Sequence, residues 1–205
     1  MNGRVIAIDG PAGAGKSSVA RAVAERLGWS FLDTGAMYRA VTFFALDHGI
    51  DLSDDESLEK VAVGLSISIT ERVVINGRDV TAEIRTPEVN SKVSSVAACS
   101  AIRRALVEQQ RIFASEQAHG TVVEGRDITT VVFPDAEVKV FLTASLEERA
   151  KRRGDESAAS VAARDEADAS RVDSPLSVGE GVTILDTTNM PLDQVVDEVV
   201  ACLRK

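Results

Sequence analysis

A glycine-rich run near the amino terminus combines the residue types and the spacing that phosphate binding requires. Residues 10–17 (GPAGAGKS) fit the pattern G-x-x-x-x-G-K-[ST], and an apolar stretch precedes them. Its glycines let main-chain N–H groups converge on phosphate oxygens, Lys16 reaches the terminal phosphates, and the Ser17 hydroxyl can ligate Mg²⁺. The run therefore predicts a nucleotide site with Ser17 as the metal ligand. The residues expected to form it are Gly10, Pro11, Ala12, Gly13, Ala14, Gly15, Lys16, Ser17 and Ser18.

The loop alone leaves open whether the nucleotide is a substrate, a fuel or a switch. Proteins that switch with guanine nucleotides need Asn-Lys-x-Asp and Asp-x-x-Gly elements, and the sequence contains neither tetrad. Motor-type ATPases usually carry a carboxylate at the end of a later apolar strand to hold magnesium, whereas residues 138–142 run into Thr143 and Ala144. These observations favour phosphoryl transfer to a small molecule.

Two further segments place arginines where a second phosphate group could bind. Residues 33–39 (DTGAMYR) follow the second strand-like run, and residues 124–127 (EGRD) end the next clear one. Both segments are then expected at carboxyl ends of strands, where open parallel sheets bind ligands. Arg39 and Arg126 can neutralise an acceptor phosphate there, as phosphoryl transfer requires.

The elements that must position these residues follow from the hydrophobic pattern. Short apolar runs predict strands at residues 5–8, 31–32, 121–124, 138–142 and 182–185. Helical patterns separate several of them, and the clearest cover residues 16–27, 102–113 and 195–203. This alternation predicts an α/β fold with a central parallel sheet flanked by helices.

Two stretches interrupt the alternation. Between Ser66 and Asp79 the alternating apolar residues and an Asn-Gly pair predict short strands joined by a turn, so we expect residues 40–91 to form an inserted subdomain. Residues 151–173 hold five basic side chains but only two large apolar ones, Val161 and Val172. Because such a segment can bury little surface, we expect a short mobile lid there.

Composition bounds the remaining possibilities. With 205 residues, 44% of them hydrophobic and 27% charged, the chain is expected to form a single domain over residues 1–205. Apolar runs stay far below the ~20 residues of a membrane helix, and the amino terminus lacks a signal-peptide pattern, so we expect a soluble cytoplasmic protein, a monomer, with no membrane partner. A net charge of −9 argues against polymeric nucleic acid as a partner.

Four blocks of this sequence resemble the bacterial cytidylate kinases, the (d)CMP kinases among the nucleoside monophosphate kinases. They are residues 8–17 (IDGPAGAGKS), 33–42 (DTGAMYRAVT), 125–136 (GRDITTVVFPDA) and the pattern from Arg164 to Leu176. The resemblance covers nearly the whole chain. It implies a P-loop kinase fold in which the insert at residues 40–91 binds the monophosphate and residues 151–173 form the lid. Thr129 stands where this family usually has glycine, and Ala169 replaces a frequent serine.

The resemblance also implies a reaction and the roles of individual residues. The reaction is ATP + (d)CMP → ADP + (d)CDP with Mg²⁺, by direct in-line transfer, in pyrimidine nucleotide metabolism. Three substrate groups are implied: Thr34, Arg39, Arg126 and Arg171 for the acceptor phosphate, Ser94, Arg103 and Asp127 for cytosine, and Arg164 and Asp168 for the sugar. Arg149 and Arg153 would face the ATP phosphates. The implied catalytic residues are Lys16, Arg126, Arg149, Arg153 and Arg171.

The chemistry of cytosine agrees with the implied base-reading residues. Its pairing edge offers acceptors at O2 and N3 and a donor amine at N4, and Arg103 and Asp127 supply the complementary donor and acceptor. This pair argues against the alternative enzyme, another small-molecule P-loop kinase that uses UMP, AMP or shikimate. A nucleotide-binding regulatory module is the nonenzymatic alternative, and it would not need a second arginine cluster.

Overall fold

The structure, a computed structural model, describes residues 4–70, 72–154, 157–171 and 173–203. The chain divides into two units. The sheet unit comprises Met1–Leu32 and Phe113–Lys205, and the helical unit comprises Asp33–Ile112. In the part of the chain that the structure describes, none of the helices has both the length and the apolar character needed to cross a membrane.

Short strands and helices alternate along the chain. The strands are β1 (Val5–Asp9), β2 (Ser30–Asp33), β3 (Ile67–Ile69), β4 (Val73–Ile75), β5 (Arg78–Asp79), β6 (Thr121–Glu124), β7 (Val138–Thr143) and β8 (Thr183–Asp186). The α-helices are α1 (Lys16–Leu27), α2 (Thr34–Asp47), α3 (Asp55–Gly64), α4 (Pro87–Val96), α5 (Ser100–Ser115), α6 (Leu146–Arg153), α7 (Ala158–Ala169) and α8 (Leu192–Cys202). A π-helical turn covers Ile128–Val132, and a 3₁₀ turn covers Glu83–Arg85.

The sheet unit is built on a five-stranded sheet in the order β2-β6-β1-β7-β8. The pairs β1–β6, β1–β7 and β7–β8 are parallel. Every residue of β1 and of β6 is buried, which agrees with the uninterrupted apolar residues 5–8 of β1 and with the adjacent Val122 and Val123 of β6. The predicted α/β fold with a central parallel sheet is confirmed.

Helices α1 and α8 cover the sheet with the apolar faces that the sequence predicts. Val19 and Val23 of α1 and Val195 and Val199 of α8 belong to one buried cluster with the side chains of β1, β6 and β7. Helix α1 ends at Gly28, whose φ of 64° is a left-handed conformation that glycine adopts without strain. The helices predicted at residues 16–27, 102–113 and 195–203 are all found as α1, α5 and α8, each within a few residues of its expected ends.

The helical unit contains a small antiparallel sheet beside its helices. Strands β3, β4 and β5 pair in that order, and both pairs are antiparallel. Asn76 and Gly77 connect β4 to β5 with φ values of 49° and 84°, the positive values that a tight hairpin turn needs. The predicted insert at residues 40–91 falls within this unit, and its Glu71 lies outside the described residues. Its role in monophosphate binding stays a prediction.

The predicted lid at residues 151–173 begins in the last turn of α6 and contains all of α7. Val161 is fully buried, whereas Asp155, Glu156 and Val172 lie outside the described residues. The segment is thus mostly helical in its described part. Its mobility stays a prediction.

We expect Gly120→Ala to destabilise the sheet unit through a specific clash. Gly120 has a φ of 135°, and a Cβ added to it would lie 2.7 Å from the Trp29 ring. The carbonyl of Gly120 also accepts a hydrogen bond from the N–H of Ser30. The free energy of unfolding, measured by denaturant titration, should fall by about 2–3 kcal/mol. Gly28→Ala is the matched control, because Gly28 also has a positive φ but nothing lies within 4 Å of its added Cβ. The control should lose about 1 kcal/mol, and equal losses would contradict the packing argument.

Candidate active site

The phosphate loop connects β1 to α1 and is held in a shape that only glycine allows at two points. Gly15 has a φ of 90° directly before α1, and Gly13 has a φ of 78°. A Cβ on Gly13 would lie 2.6 Å from the main-chain oxygen of Arg149. Because the loop ends at a helix N-terminus, its N–H groups and the helix dipole both favour a bound anion.

Lys16 begins α1 with its amine buried. Its Nζ donates to the carbonyl of Pro11 at 2.9 Å. Burial, assisted by the positive charge of Arg126, lowers the pKa of Lys16 to about 7, although Glu124, Asp9 and Asp168 act in the opposite direction. A bound phosphate would supply the negative charge that restores the ammonium form.

Glu124 is a functional candidate that the sequence analysis did not assign. It is the last residue of β6, next to β1 in the sheet, and its Oε1 accepts a hydrogen bond of 2.5 Å from the Ser17 hydroxyl. The sequence prediction considered a carboxylate only after residues 138–142, on β7, and did not consider Glu124 at the end of β6. The run Thr121–Glu124, apolar and ending in a carboxylate, carried the signal. Two neighbouring oxygen atoms of this kind could act as ligands of a hard cation such as Mg²⁺.

Asp9, the last residue of β1, anchors the segment that follows Asp127. Its carboxylate is fully buried and accepts from the N–H of Ile128 at 2.9 Å and from the N–H and hydroxyl of Thr129, both at 2.7 Å. Burial raises the pKa of Asp9 even though these hydrogen bonds favour the carboxylate form. The Thr129 hydroxyl contributes a donor that a glycine at this position would lack. Asp9 thereby fixes the backbone next to Asp127, which is itself buried.

Three predicted acceptor-site residues meet in one cluster. Asp168 accepts from the Nε of Arg126 at 2.6 Å and from Nη2 of Arg171, and its carboxylate is buried. Burial opposes the charge on Arg126, but the adjacent Asp168 outweighs it and the pKa of Arg126 is raised. Arg126 therefore keeps its positive charge close to Lys16 of the phosphate loop. Asp168 is thus engaged with two arginines, and its contact with the sugar stays a prediction.

The arginines of α6 differ in what they contact. Arg149 is buried, and its guanidinium donates to the carbonyls of Ala144 and Ala12, both at 3.0 Å, and to Asp165 at 2.5 Å. Arg152, which the sequence analysis did not assign, donates to the main chain and hydroxyl of Thr187. Arg153 on α6 and Arg164 on α7 are half-buried. Their contacts with ATP and with the sugar stay predictions.

The helical unit brings together a second set of candidates. On α2, Arg39 donates to Asn90 of α4 at 3.3 Å, and Tyr38 packs under the guanidinium of Arg103 from α5 at 5.7 Å. Arg103 is buried and also donates to the carbonyl of Ala97. Thr34, one turn before Tyr38, is buried at the start of α2. This unit therefore gathers two arginines and a threonine near the α2 amino terminus.

Ser94 lies near the end of α4 and differs from its serine neighbours. The hydroxyls of Ser91 and Ser95 donate to main-chain carbonyls of their own helix at 2.7 Å. Among the described residues the Ser94 hydroxyl makes no such bond, and Ser94 is half-buried. The role of Ser94 as a base ligand stays a prediction.

Comparison with known proteins agrees with the four sequence blocks. A family model described as cytidylate kinase matches residues 6–205. The cytidylate kinase of Pelotomaculum thermopropionicum is 47% identical over 214 residues, which cover 96% of this chain and 94% of that protein. That of Pseudomonas aeruginosa is 43% identical over 221 residues, covering 98% and 96%. The crystal structure of a gluconokinase from Sinorhizobium meliloti has a TM-score of 0.52 at 19% identity, covering 99% of this chain and 92% of that one, and shows likeness of fold alone.

We expect triphosphate binding to be coupled to proton uptake by Lys16. Because its pKa is lowered to about 7, the amine is mostly neutral at about pH 8, and a contacting phosphate favours the charged form. At that pH we expect the protein to take up nearly one proton for each nucleotide bound. Titration calorimetry in buffers of different ionisation enthalpy should then give different binding enthalpies. A buffer-independent enthalpy would contradict the assignment.

Lys16→Met is the control for this linkage. It should bind the triphosphate more weakly and without the proton uptake. The lowered pKa also determines how the free energy of unfolding depends on pH. In the folded protein the pKa of Lys16 is about 7, below its ordinary value of 10.5. The unfolded chain binds more protons between these values, so the free energy of unfolding of the nucleotide-free protein should rise with pH there. The variant should lose that contribution to the slope.

Proposed function

Because the chain belongs to the cytidylate kinase family of phosphotransferases, we propose that it transfers the terminal phosphoryl group of ATP to CMP and to dCMP, giving CDP and dCDP. One observation carries the proposal beyond the family: the phosphate loop with its buried Lys16 lies beside a second cluster of positive charge, Arg126 and Arg171 on Asp168. The loop suits the donor phosphates and the cluster suits an acceptor phosphate.

Positioned charge accounts for the catalysis in this proposal. Phosphoryl transfer spreads negative charge over the oxygens of the transferring group, and Lys16 with Arg126, Arg149, Arg153 and Arg171 would neutralise it. The attacking oxygen belongs to an ionised phosphate, so the direct in-line reaction needs no general base. Holding the two phosphates in line supplies much of the rate.

Ser17 and Glu124 are the residues that would hold Mg²⁺. A bound Mg²⁺ would supply positive charge that neutralises part of the charge on the ATP phosphates. The residues of the chain have their own part in this. Glu124 orients the Ser17 hydroxyl by accepting its hydrogen bond of 2.5 Å. Because Glu124 ends a buried strand, its carboxylate is held in place beside the loop.

The acceptor residues are assigned unit by unit. In the sheet unit, Arg126 and Arg171 would bind the acceptor phosphate, Asp127 the cytosine amine, and Arg164 and Asp168 the sugar. Asp168 already accepts from two arginines, so it would use the remaining lone pairs of its oxygens for the sugar. In the helical unit, Thr34 and Arg39 are proposed as phosphate ligands, and Ser94 and Arg103 as base ligands.

The alternatives differ in what they would require. A regulatory module would bind nucleotide without needing the arginines of the Asp168 cluster. A kinase for UMP or shikimate would not need a buried carboxylate at Asp127, because neither acceptor carries an amine for it to accept from. Action as a monomer in the cytoplasm, in pyrimidine nucleotide metabolism, is part of the same proposal.

The activity itself is tested by coupled ADP release with five acceptors: CMP, dCMP, UMP, AMP and shikimate. We expect turnover with CMP and dCMP well above the rates with the other three and above the rate without acceptor. Lys16→Met should abolish it while its circular dichroism spectrum stays unchanged. Absence of turnover with every acceptor would favour the regulatory module, and a preference for UMP, AMP or shikimate would favour the other kinase.

Asp127→Asn tests how the base is recognised. An ionised carboxylate accepts from the N4 amine of cytosine but opposes the O4 acceptor of uracil, whereas an amide can turn and donate to O4. We expect the ratio of kcat/KM for CMP to that for UMP to fall by about ten- to a hundredfold, because one unpaired buried polar group costs about 1–3 kcal/mol. The KM for ATP should change little. Asp135→Asn, at an exposed position of the same block, is the matched control, and an unchanged ratio at Asp127 would remove it from the base site.

A further inference from the structure

Asp165 on α7 contacts the phosphate loop directly. Its Oδ1 accepts from the N–H of Ala12 at 3.2 Å, and its Oδ2 accepts from Nη1 of Arg149 at 2.5 Å. Ala12 belongs to the loop, Arg149 to α6 and Asp165 to α7. One carboxylate therefore joins three elements of the sheet unit.

Arg149 completes the same arrangement from the other side. Its Nη1 donates to the carbonyl of Ala12 at 3.0 Å, and its Nε donates to the carbonyl of Ala144, also at 3.0 Å. Both main-chain groups of Ala12 are thus bonded to side chains, the N–H to Asp165 and the carbonyl to Arg149. We call these two side chains on Ala12 the Ala12 clamp. Gly13, the next residue, packs on the main chain of Arg149.

The clamp is largely removed from solvent, which makes it costly to open. The side chain of Arg149 is 10% exposed and that of Asp165 is 22% exposed. Separating them would leave a buried guanidinium without its carboxylate, and charge-assisted hydrogen bonds are among the stronger ones in proteins. Glu166, the next acidic residue of α7, is exposed and contributes nothing to the clamp.

The position of Asp165 on α7 connects the clamp to the second cluster. Asp168 lies three residues later, one helical turn away, and accepts from Arg126 and Arg171. One turn of α7 therefore presents one carboxylate to the loop and another to the arginines proposed for the acceptor phosphate. The rigid helix sets the spacing between these two contacts.

From this geometry we propose that Asp165 is a positioning residue. With Arg149 it fixes Ala12, and through α7 it sets the phosphate loop at a defined distance from the Arg126–Asp168–Arg171 cluster. The inference rests on the proposed function in so far as the loop holds ATP and the cluster holds the acceptor. Asp165 itself touches main chain and arginine rather than substrate, so it acts through the groups that it holds.

The test compares Asp165→Ala with Glu166→Ala, which removes the same charge from the adjacent, exposed position. Hydrogen exchange in peptides that contain Ala12 is measured without nucleotide, and KM for ATP and kcat are measured with CMP. For Asp165→Ala we expect exchange at the loop to be about tenfold faster and KM for ATP to rise about tenfold, as loss of a charge-assisted hydrogen bond predicts. Glu166→Ala should match the unmodified protein in both measurements.

Asp165→Asn is the second variant. Its amide oxygen can still accept from Ala12 but carries no charge for Arg149, so protection of the loop should recover while KM for ATP stays raised. A fall in KM for ATP in Asp165→Ala would overturn the proposal, because the carboxylate would then compete with phosphate. Unchanged exchange and unchanged KM would also overturn it, as would equal effects in Glu166→Ala. If the unmodified protein fails to phosphorylate CMP, the proposed function fails, whereas the exchange result still decides whether Asp165 holds the loop.

Discussion

The charged side chains of the sheet unit are arranged around the buried amine of Lys16, and the rest of the site depends on their interaction with it. A phosphate loop must point an ammonium group at its ligand, yet burial and the neighbouring Arg126 lower the pKa of that group to about 7. Asp9, Glu124 and Asp168 oppose this effect. Each of the three also accepts hydrogen bonds from another part of the site, from Thr129, Ser17 and Arg126 respectively. The carboxylates that balance Lys16 are therefore also the ones that hold the site together.

The same requirement accounts for the acidic residues of α7. Arg149 and Arg171 have little solvent around them, and a buried guanidinium is tolerated when carboxylates and carbonyls satisfy it. Asp165 and Asp168 supply those carboxylates from successive turns of one helix. A segment whose composition suggested little more than a polar lid thus carries ordered contacts to the loop. In the described part of α7 the buried residues are Val161 and Asp168, so the helix is held by one apolar side chain and by polar contacts.

The phosphate loop and the proposed base-reading residue Asp127 are connected through hydrogen bonds to the main chain. Asp9 ends the strand that begins the phosphate loop, and its carboxylate binds the main chain directly after Asp127. A displacement of the loop would therefore reach the proposed base-reading residue through three short hydrogen bonds. The Thr129 hydroxyl supplies the third of these bonds.

What the sequence determined by itself was whatever depends on neighbours along the chain. The loop pattern at residues 10–17, the apolar run of β1, the stop of α1 at Gly28 and the turn at Asn76 and Gly77 are all local, and each is found as predicted. The family blocks added residue roles that remain proposals. Tertiary structure alone decided which strand lies beside β1, and hence that Glu124 rather than a residue after β7 meets Ser17. It likewise decided that Asp9 contacts Thr129 and that Asp165 contacts Ala12. The two residues of each pair are far apart in sequence. The pattern of polar residues in each segment is compatible with many partners, and only the order of the strands and the packing of the helices select one.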